Sequence, residues 1–215
     1  MNALKVAWGI FIVILIACIV VIGILPGDTQ VPIHWNSAGD VDKYDSLLIA
    51  LLMYPGIMLG LLVLIHSIKF LEPRKENLAA STTAKGWIAL GVVALLSVMA
   101  LATIAIAFGY QVPMVRLIIL SVMTMLIVVG NFLSKTKSNF FIGIKTPWTL
   151  SSEDNWRKTH RLGGRLFMLA GIIGIPLSLI LSEDQLSYLT ITVVMTATLI
   201  PCTYSWYIWH RDNKT

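Results

Sequence analysis

Six long apolar stretches alternate with short polar ones along this chain. They run over about residues 6–25, 47–70, 87–109, 115–133, 166–181 and 188–209. An α-helix needs about 20 apolar residues to cross a bilayer, and only the fifth stretch falls clearly short of that. The first ends at Pro26-Gly27-Asp28. It is long and has no Ala-x-Ala-like site behind it, so it reads as a retained helix rather than a signal peptide. The third and fourth form a close pair joined around Tyr110-Gln111-Val112-Pro113. No internal repeat, low-complexity tract or flexible linker stands out. The pattern predicts an all-α polytopic membrane protein: six transmembrane helices in a single integral membrane domain, 1–215. Two longer polar inserts interrupt it, at 26–46 and 134–165.

Composition agrees. The chain is 57% hydrophobic and 13% charged, about half the roughly 25% charge of soluble domains. A soluble fold with one large core is excluded. The net charge of +5 does not point to nucleic acid, because the basic residues flank the apolar runs, where topology signals belong. Of sixteen Lys and Arg, only Lys43 and Arg116 fall on one side of the membrane; the other fourteen, from Lys5 to Lys214, fall on the opposite side. By the positive-inside rule both termini and the 134–165 insert are cytoplasmic, and the 26–46 loop is extracellular. The outer side is mildly acidic, with Asp28, Asp40, Asp42, Asp45, Glu183 and Asp184. This is the pattern of a multi-pass membrane protein. Cys18 and Cys202 lie within apolar segments and read as small buried hydrophobes.

Within the stretches, Arg116, His66 and Lys69 near helix ends are the only ionisable groups besides thiols and tyrosines. Proton relays and ion-coupled transporters place Asp, Glu or His at membrane depth, and hydrolysis there needs an activated nucleophile or a metal. The sequence therefore predicts no catalytic residue, no metal and no cofactor, and so no enzyme. For packing it offers a Gly56/Gly60 face on the second helix, Thr103/Ala107 on the third and Thr192/Thr196 on the sixth, read as contacts within the monomer rather than a homodimer face. Pro55, Pro176 and Pro201 interrupt their helices, and Thr203 is a hydroxyl able to satisfy a freed carbonyl.

The outer insert contains Pro32-Ile-His-Trp-Asn-Ser-Ala-Gly-Asp-Val-Asp-Lys-Tyr-Asp45. Asn36-Ser37-Ala38-Gly39 reads as a turn with Gly39 at positive φ, and Trp35 and Tyr44 suit a membrane interface. Asp40, Asp42 and Asp45 beside His34 lack the spacing and terminal Glu of a calcium loop. Either a structured cap or a recognition surface for an extracellular ligand fits, with His34, Trp35, Asn36, Gly39, Asp40 and Tyr44 as candidate ligand-binding residues. The inner insert is denser. Pro147 biases Thr146 away from helix, so Lys145-Thr146-Pro147-Trp148 reads as a turn that frees Trp148 to fold back. Ser151 caps the helix that follows, with Asp154 near its positive end. Glu153–Arg157 and Asp154–Lys158 are spaced as i,i+4 pairs. Trp156, His160 and Gly163 share one face, and Arg157, Arg161 and Arg165 another. Three readings stay open for this platform: a basic collar on membrane lipid, a docking site for a cytoplasmic protein, or a catalytic site built on His160, with Thr159 pointing to a different side.

Two stretches carry a resemblance. Trp-Asn-Ser-Ala-Gly-Asp-Val-Asp-Lys-Tyr (35–44) and Asn-Phe-Phe-Ile-Gly-Ile-Lys-Thr-Pro-Trp-Thr-Leu-Ser-Ser-Glu-Asp-Asn-Trp-Arg-Lys-Thr-His-Arg-Leu-Gly-Gly (139–164) are similar to the two signatures of the SdpI family. The first is shared with other membrane proteins of unknown function; the second is long and specific. The resemblance implies immunity against a secreted, membrane-active killing peptide. It also implies a second role, in which the toxin-engaged protein holds a cytoplasmic repressor of its own operon at the membrane. Lys145, Thr146, Pro147, Trp148, Trp156, Arg157, Thr159, His160, Arg161 and Gly163 are the candidate docking residues. The expected partners are an extracellular peptide toxin, that repressor and membrane lipid, with no direct nucleic acid. Two other functions compete: a small-solute or lipid-like transporter using a proline-opened cavity, and an interfacial membrane enzyme using His160.

Overall fold

A computed structural model describes residues 2–36 and 38–212. Six helices are long and apolar enough to cross a bilayer: α1 (Ala3–Ile24), α2 (Leu47–Leu71), α4 (Thr82–Ala107), α5 (Met114–Leu133), α7 (Glu153–Ile180) and α8 (Glu183–Asp212). Short helices α3 (Lys75–Ala80) and α6 (Pro147–Ser151) sit in the connections. The outer insert adds an antiparallel hairpin, β1 (Gln30–Trp35) with β2 (Val41–Ser46), to an otherwise helical fold.

Local chemistry explains the ends. Asn2 caps α1 through Leu4 N (3.1 Å), and α1 stops ahead of Pro26. Ser46 caps α2. The hairpin turn is tied by Asn36 Oδ1, which accepts from Ala38 N (3.0 Å) and Asp40 N (2.9 Å). Gly39 takes φ +93° as the turn required; Ser37, the remaining residue of that turn, lies outside the described residues, as does Lys214. Helix α7 runs unbroken from the polar insert through the fifth apolar stretch. That stretch is therefore short only in its apolar part. Its cap is Ser152, accepting from Asn155 N (3.2 Å), one residue later than expected, because Ser151 still belongs to α6.

The helices form two halves. α1, α2 and α4 pack on one another, as do α5, α7 and α8, and α4 against α5 joins them. Buried side chains of the first half (Phe11, Ile14, Leu51, Met58, Leu62 and Val93) form the larger core. Outward-facing Ile, Leu and Val side chains cover the rest of the long helices, as a lipid environment favours.

The Gly56/Gly60 face does not contact another helix: both glycines are exposed, with no atom of another segment within 4 Å of a Cβ placed there. Thr192 and Thr196 are also exposed. The close approach occurs between α5 and α7 instead. A Cβ on Gly130 would stand 2.6 Å from Gly164 O, one on Gly164 would stand 2.7 Å from Gly130 O, and one on Gly171 would stand 2.4 Å from Met123 O. Only glycine fits there, since the obstacle is backbone rather than a movable side chain. Thr103, at the expected position, donates to Tyr54 Oη (3.1 Å) and ties α4 to α2. Pro55, Pro176 and Pro201 all lie inside continuous helices. Thr203 donates to Leu199 O rather than to the carbonyl that Pro201 frees. At the far end of α7, Arg116 donates to Ser178 O (2.6 Å) and Leu181 O (3.1 Å), satisfying carbonyls that a helix end leaves open.

The glycine contact yields a test. Gly164→Val should destabilise the detergent-solubilised protein by about 1–3 kcal/mol, the usual penalty of overpacking, whereas Gly56→Ala and Gly60→Ala should leave it unchanged. Denaturant titration followed by tryptophan fluorescence measures both.

Candidate functional site

The inner insert folds into a hydrogen-bonded block under the helix ends, and buried polar side chains organise it. Asn139 is fully buried. Its Nδ2 donates to Lys137 O (2.8 Å) and Ile142 O (3.1 Å), while its Oδ1 accepts from Phe141 N (2.9 Å) and Ile142 N (2.7 Å). Both ends of the amide are satisfied, as burial demands. Glu72, buried at the end of α2, accepts from Arg74 N (2.9 Å) and Phe140 N (2.8 Å). Arg74 donates to Ser138 Oγ and to Leu150 O (2.8 Å), and its guanidinium sits 5.0 Å from the Phe140 ring centroid. Asn77 and Ser81 complete the attachment of the 72–81 connection, through Ser138 O (2.8 Å) and Lys137 N (3.0 Å).

His160 is the peg of the second half of the block. It is fully buried and stacks on Trp156 with centroids 3.9 Å apart. Its Nε2 accepts from Ile144 N (2.9 Å), which leaves the proton on Nδ1, donated to Trp156 O (2.8 Å). Trp156 in turn donates from Nε1 to Thr136 O (3.0 Å). The chain reaches the ring at Gly143, φ +133°, where a Cβ would stand 2.4 Å from His160 Nε2. Glycine is required twice over there, by backbone conformation and by space. Both nitrogens of His160 are held by backbone, so it has no hydrogen bond left for a nucleophile. Thr159 donates to Asn155 Oδ1 (3.1 Å), away from the ring.

Thr146 and Thr149 form a reciprocal capping box on α6, whose first residue is Pro147. Pro147 thus starts a helical turn rather than an open one; its fixed φ suits the first helical position. Thr146 Oγ1 meets Ser205 Oγ (3.0 Å) and Asn155 Nδ2 donates to Ser205 O (2.8 Å), so α8 is bound into the block. Trp148 does fold back, to a half-buried place 6.4 Å from the Trp209 ring. Gly163 is pressed against Ile144 and Pro201.

The expected division of faces is present. Trp156, Thr159, His160 and Gly163 are buried, while Lys145, Arg157 and Arg161 are exposed, as is Pro147. One pairing differs: Asp154 holds both Lys158 (2.5 Å) and Arg157 (2.5 Å), so Arg157 turns to Asp154 and not to Glu153. Sequence reasoning missed Glu72, Arg74, Asn139, Gly143, Thr149 and Asn155. Asn139 ahead of Phe-Phe-Ile-Gly143 was the readable signal, since Asn followed by a glycine bend favours a local turn.

At the opposite end, the hairpin covers a cavity of ≈580 Å³ lined by Ile33, His34, Trp35 and Asn36 together with side chains of α2, α4, α5 and α8. His34, Trp35 and Asn36 are thus brought together; Asp40 and Tyr44 are exposed and do not line it. His34 Nδ1 lies 2.6 Å from Asp42 Oδ1 across the hairpin. Gly39 lies directly under the Glu183 carboxyl group, which a Cβ there would displace. Thr190 Oγ1, also lining the cavity, is buried without a hydrogen-bond partner. Among the described residues no three His, Cys, Asp or Glu side chains gather as metal ligands.

His160→Ala should cost about 1–3 kcal/mol by orphaning the Ile144 N–H. It should also raise amide hydrogen exchange across 141–146, an effect that hydrogen-exchange mass spectrometry localises.

Residues 135–205 match the SdpI/YfhL protein family, and residues 9–59 match a domain of unknown function, DUF1648. The chain is 31% identical over 119 residues to the immunity protein SdpI of Bacillus subtilis (strain 168), a stretch covering 55% of this chain and 57% of that protein. The match thus spans little more than half the length of this relative. No solved structure matches. Six apolar membrane-length helices and this relative make the chain a multi-pass protein of the cell membrane. By the 135–205 match and by this relative, the chain is similar to the SdpI/YfhL protein family over its second motif, while its first motif falls within the 9–59 match.

Proposed function

We propose that this chain is a non-enzymatic bacterial immunity protein that binds or sequesters a secreted, membrane-active peptide toxin at its hairpin end. The observation that carries the reading is the ≈580 Å³ apolar cavity beneath the hairpin, with His34, Trp35 and Asn36 in its wall. Trp35 and Asn36 belong to the first motif, and a cavity of this size and lining suits an apolar side-chain cluster with a few polar anchors. The similarity to an immunity protein supports the same reading. Both termini and the 134–165 block lie on the cytoplasmic side in it, following the Lys/Arg bias.

A signalling role adds to protection. The exposed Arg157 and Arg161 face of α7 presents a basic surface on a rigid helix, suited to an acidic patch on a cytoplasmic repressor. The same arginines stand where anionic lipid headgroups would meet them. An enzyme built on His160 is disfavoured by its two backbone bonds. The transporter reading draws on the same cavities, but an unrelated solute carrier would give no toxin resistance.

In a sensitive bacterium, the wild-type chain should restore survival against the candidate peptide. Trp35→Ala at equal membrane abundance should lose most of that survival, and retained protection would overturn the reading. Arg157→Glu with Arg161→Glu should abolish recruitment of the repressor to membranes while survival stays near wild type. Fractionation of a tagged repressor measures the first effect, and colony counts the second.

A further inference from the structure

A second apolar cavity, ≈550 Å³, lies at the other end of the molecule against the 141–145 loop. The two cavities share helix faces. On α2, Tyr54 lines the first and Leu61, Ile65 and Ile68 the second; on α8, Ser187 and Ile191 line the first and Thr198 and Cys202 the second. On α5, Val115 and Ile119 line the first and Val129 and Leu133 the second; on α4, Leu95 and Met99 precede and Ile88 follows. Each of these sets steps by three, four or seven residues, or by sums of these, which keeps it on one side of an α-helix. Both cavities therefore lie along the same sides of α2, α4, α5 and α8, between the helical halves. From Tyr54 to Ile68 the shared side of α2 runs about 21 Å at 1.5 Å per residue. The first family motif closes one end and the second motif the other.

The ends differ in charge. Around the hairpin stand Asp40, Asp42, Asp45, Glu183 and Asp184, against Lys43. At the 141–145 end Lys145 lines the cavity, and Lys69 follows Ile68 on α2. Lys145 Nζ donates to Phe141 O (3.1 Å), and Lys69 meets His66 and the Phe70 ring; no ion pair among the described residues holds either cation. Deep in the hairpin end, the Thr190 hydroxyl is buried with no partner, a costly state for a polar group. An acyl chain would leave it so, whereas a polar side chain would satisfy it.

We propose that the two cavities are the ends of one groove, which docks one membrane-embedded helix of a second polypeptide, apolar along its length, basic at its hairpin end and carrying a carboxylate at its loop end. Such an occupant touches both family motifs at once. The proposal rests on the immunity reading only for the identity of that polypeptide, and it fixes where and in which polarity the peptide lies.

Cys202 lines the loop end, and Cys18, the other cysteine, is buried away from it. Purified Cys18→Ala protein in phosphatidylcholine nanodiscs is alkylated with N-ethylmaleimide. A synthetic Leu/Ala helix with two lysines at one end, a free carboxylate at the other and a serine near the basic end serves as probe. At ten times its dissociation constant it should slow Cys202 alkylation about tenfold, as occupancy of one site dictates. The same helix with lysines at both ends, or aspartates at both ends, should protect much less. Ile191→Trp, which fills the hairpin end far from Cys202, should abolish protection while leaving the unprotected alkylation rate at the wild-type value. Equal protection by all three helices would mean an apolar cover without polarity, and would overturn the proposal. So would no protection by any of them, which marks a lipid-filled groove, or protection that grows with protein concentration alone, which marks a second copy. If wild-type cells gain no toxin survival yet the probe protects, the immunity reading falls and the groove stands. If survival is gained and also tolerates Thr198→Trp, which fills the loop-end cavity alone, the groove falls and the immunity reading stands.

Discussion

Burial keeps water from the polar side chains of the inner insert, so each must find its partner within the chain. The inner block is built around that requirement. A neutral imidazole, accepting from Ile144 N and donating to Trp156 O, closes a ring of backbone bonds that no water needs to enter. Asn139 and Glu72 do the same for the preceding turns, each accepting backbone N–H groups that a loop would otherwise leave bare. The long polar signature is therefore mostly a scaffold. Its buried members fix the shape, and its exposed arginines are what another molecule can meet.

Much of this was legible in the sequence, and the reason is periodicity. Apolar runs of membrane length give the six long helices, and the i, i+4, i+7 spacing of Trp156, His160 and Gly163 against Arg157, Arg161 and Arg165 gives the two faces of α7. Gly39 announced its turn because few other residues tolerate that φ. What stayed hidden depends on tertiary partners. Gly56/Gly60 and Gly164/Gly171 look alike as small-residue patterns, but only the second pair meets another backbone. Glu72 looked like an ordinary charged residue at a helix end until its carboxyl group was seen receiving Phe140 N. The hairpin also escaped, since its alternation is short and its register irregular between Pro32 and Trp35.

The candidate site divides along the same line. Local signals marked the residues around the hairpin and along α7, but the space between the two halves belongs to no single segment. It exists because α4 and α5 join the halves while α2 and α8 form no substantial contact of their own. Four helices each contribute one face to it, and each face taken alone looks like ordinary lipid-facing surface.

One feature of α7 bears on how the two ends could communicate. It is an uninterrupted rod of 28 residues, about 42 Å long at 1.5 Å per residue. It is pinned about two fifths of the way along by the Gly130–Gly164 crossing, again where Gly171 meets Met123 O, and gripped at its far tip by Arg116. The arm that carries the arginines is itself fastened through Asn155, Trp156 and His160. Held at both ends and crossed twice between them, α7 forms one stiff pair with α5, and a load on either tip is shared by both helices.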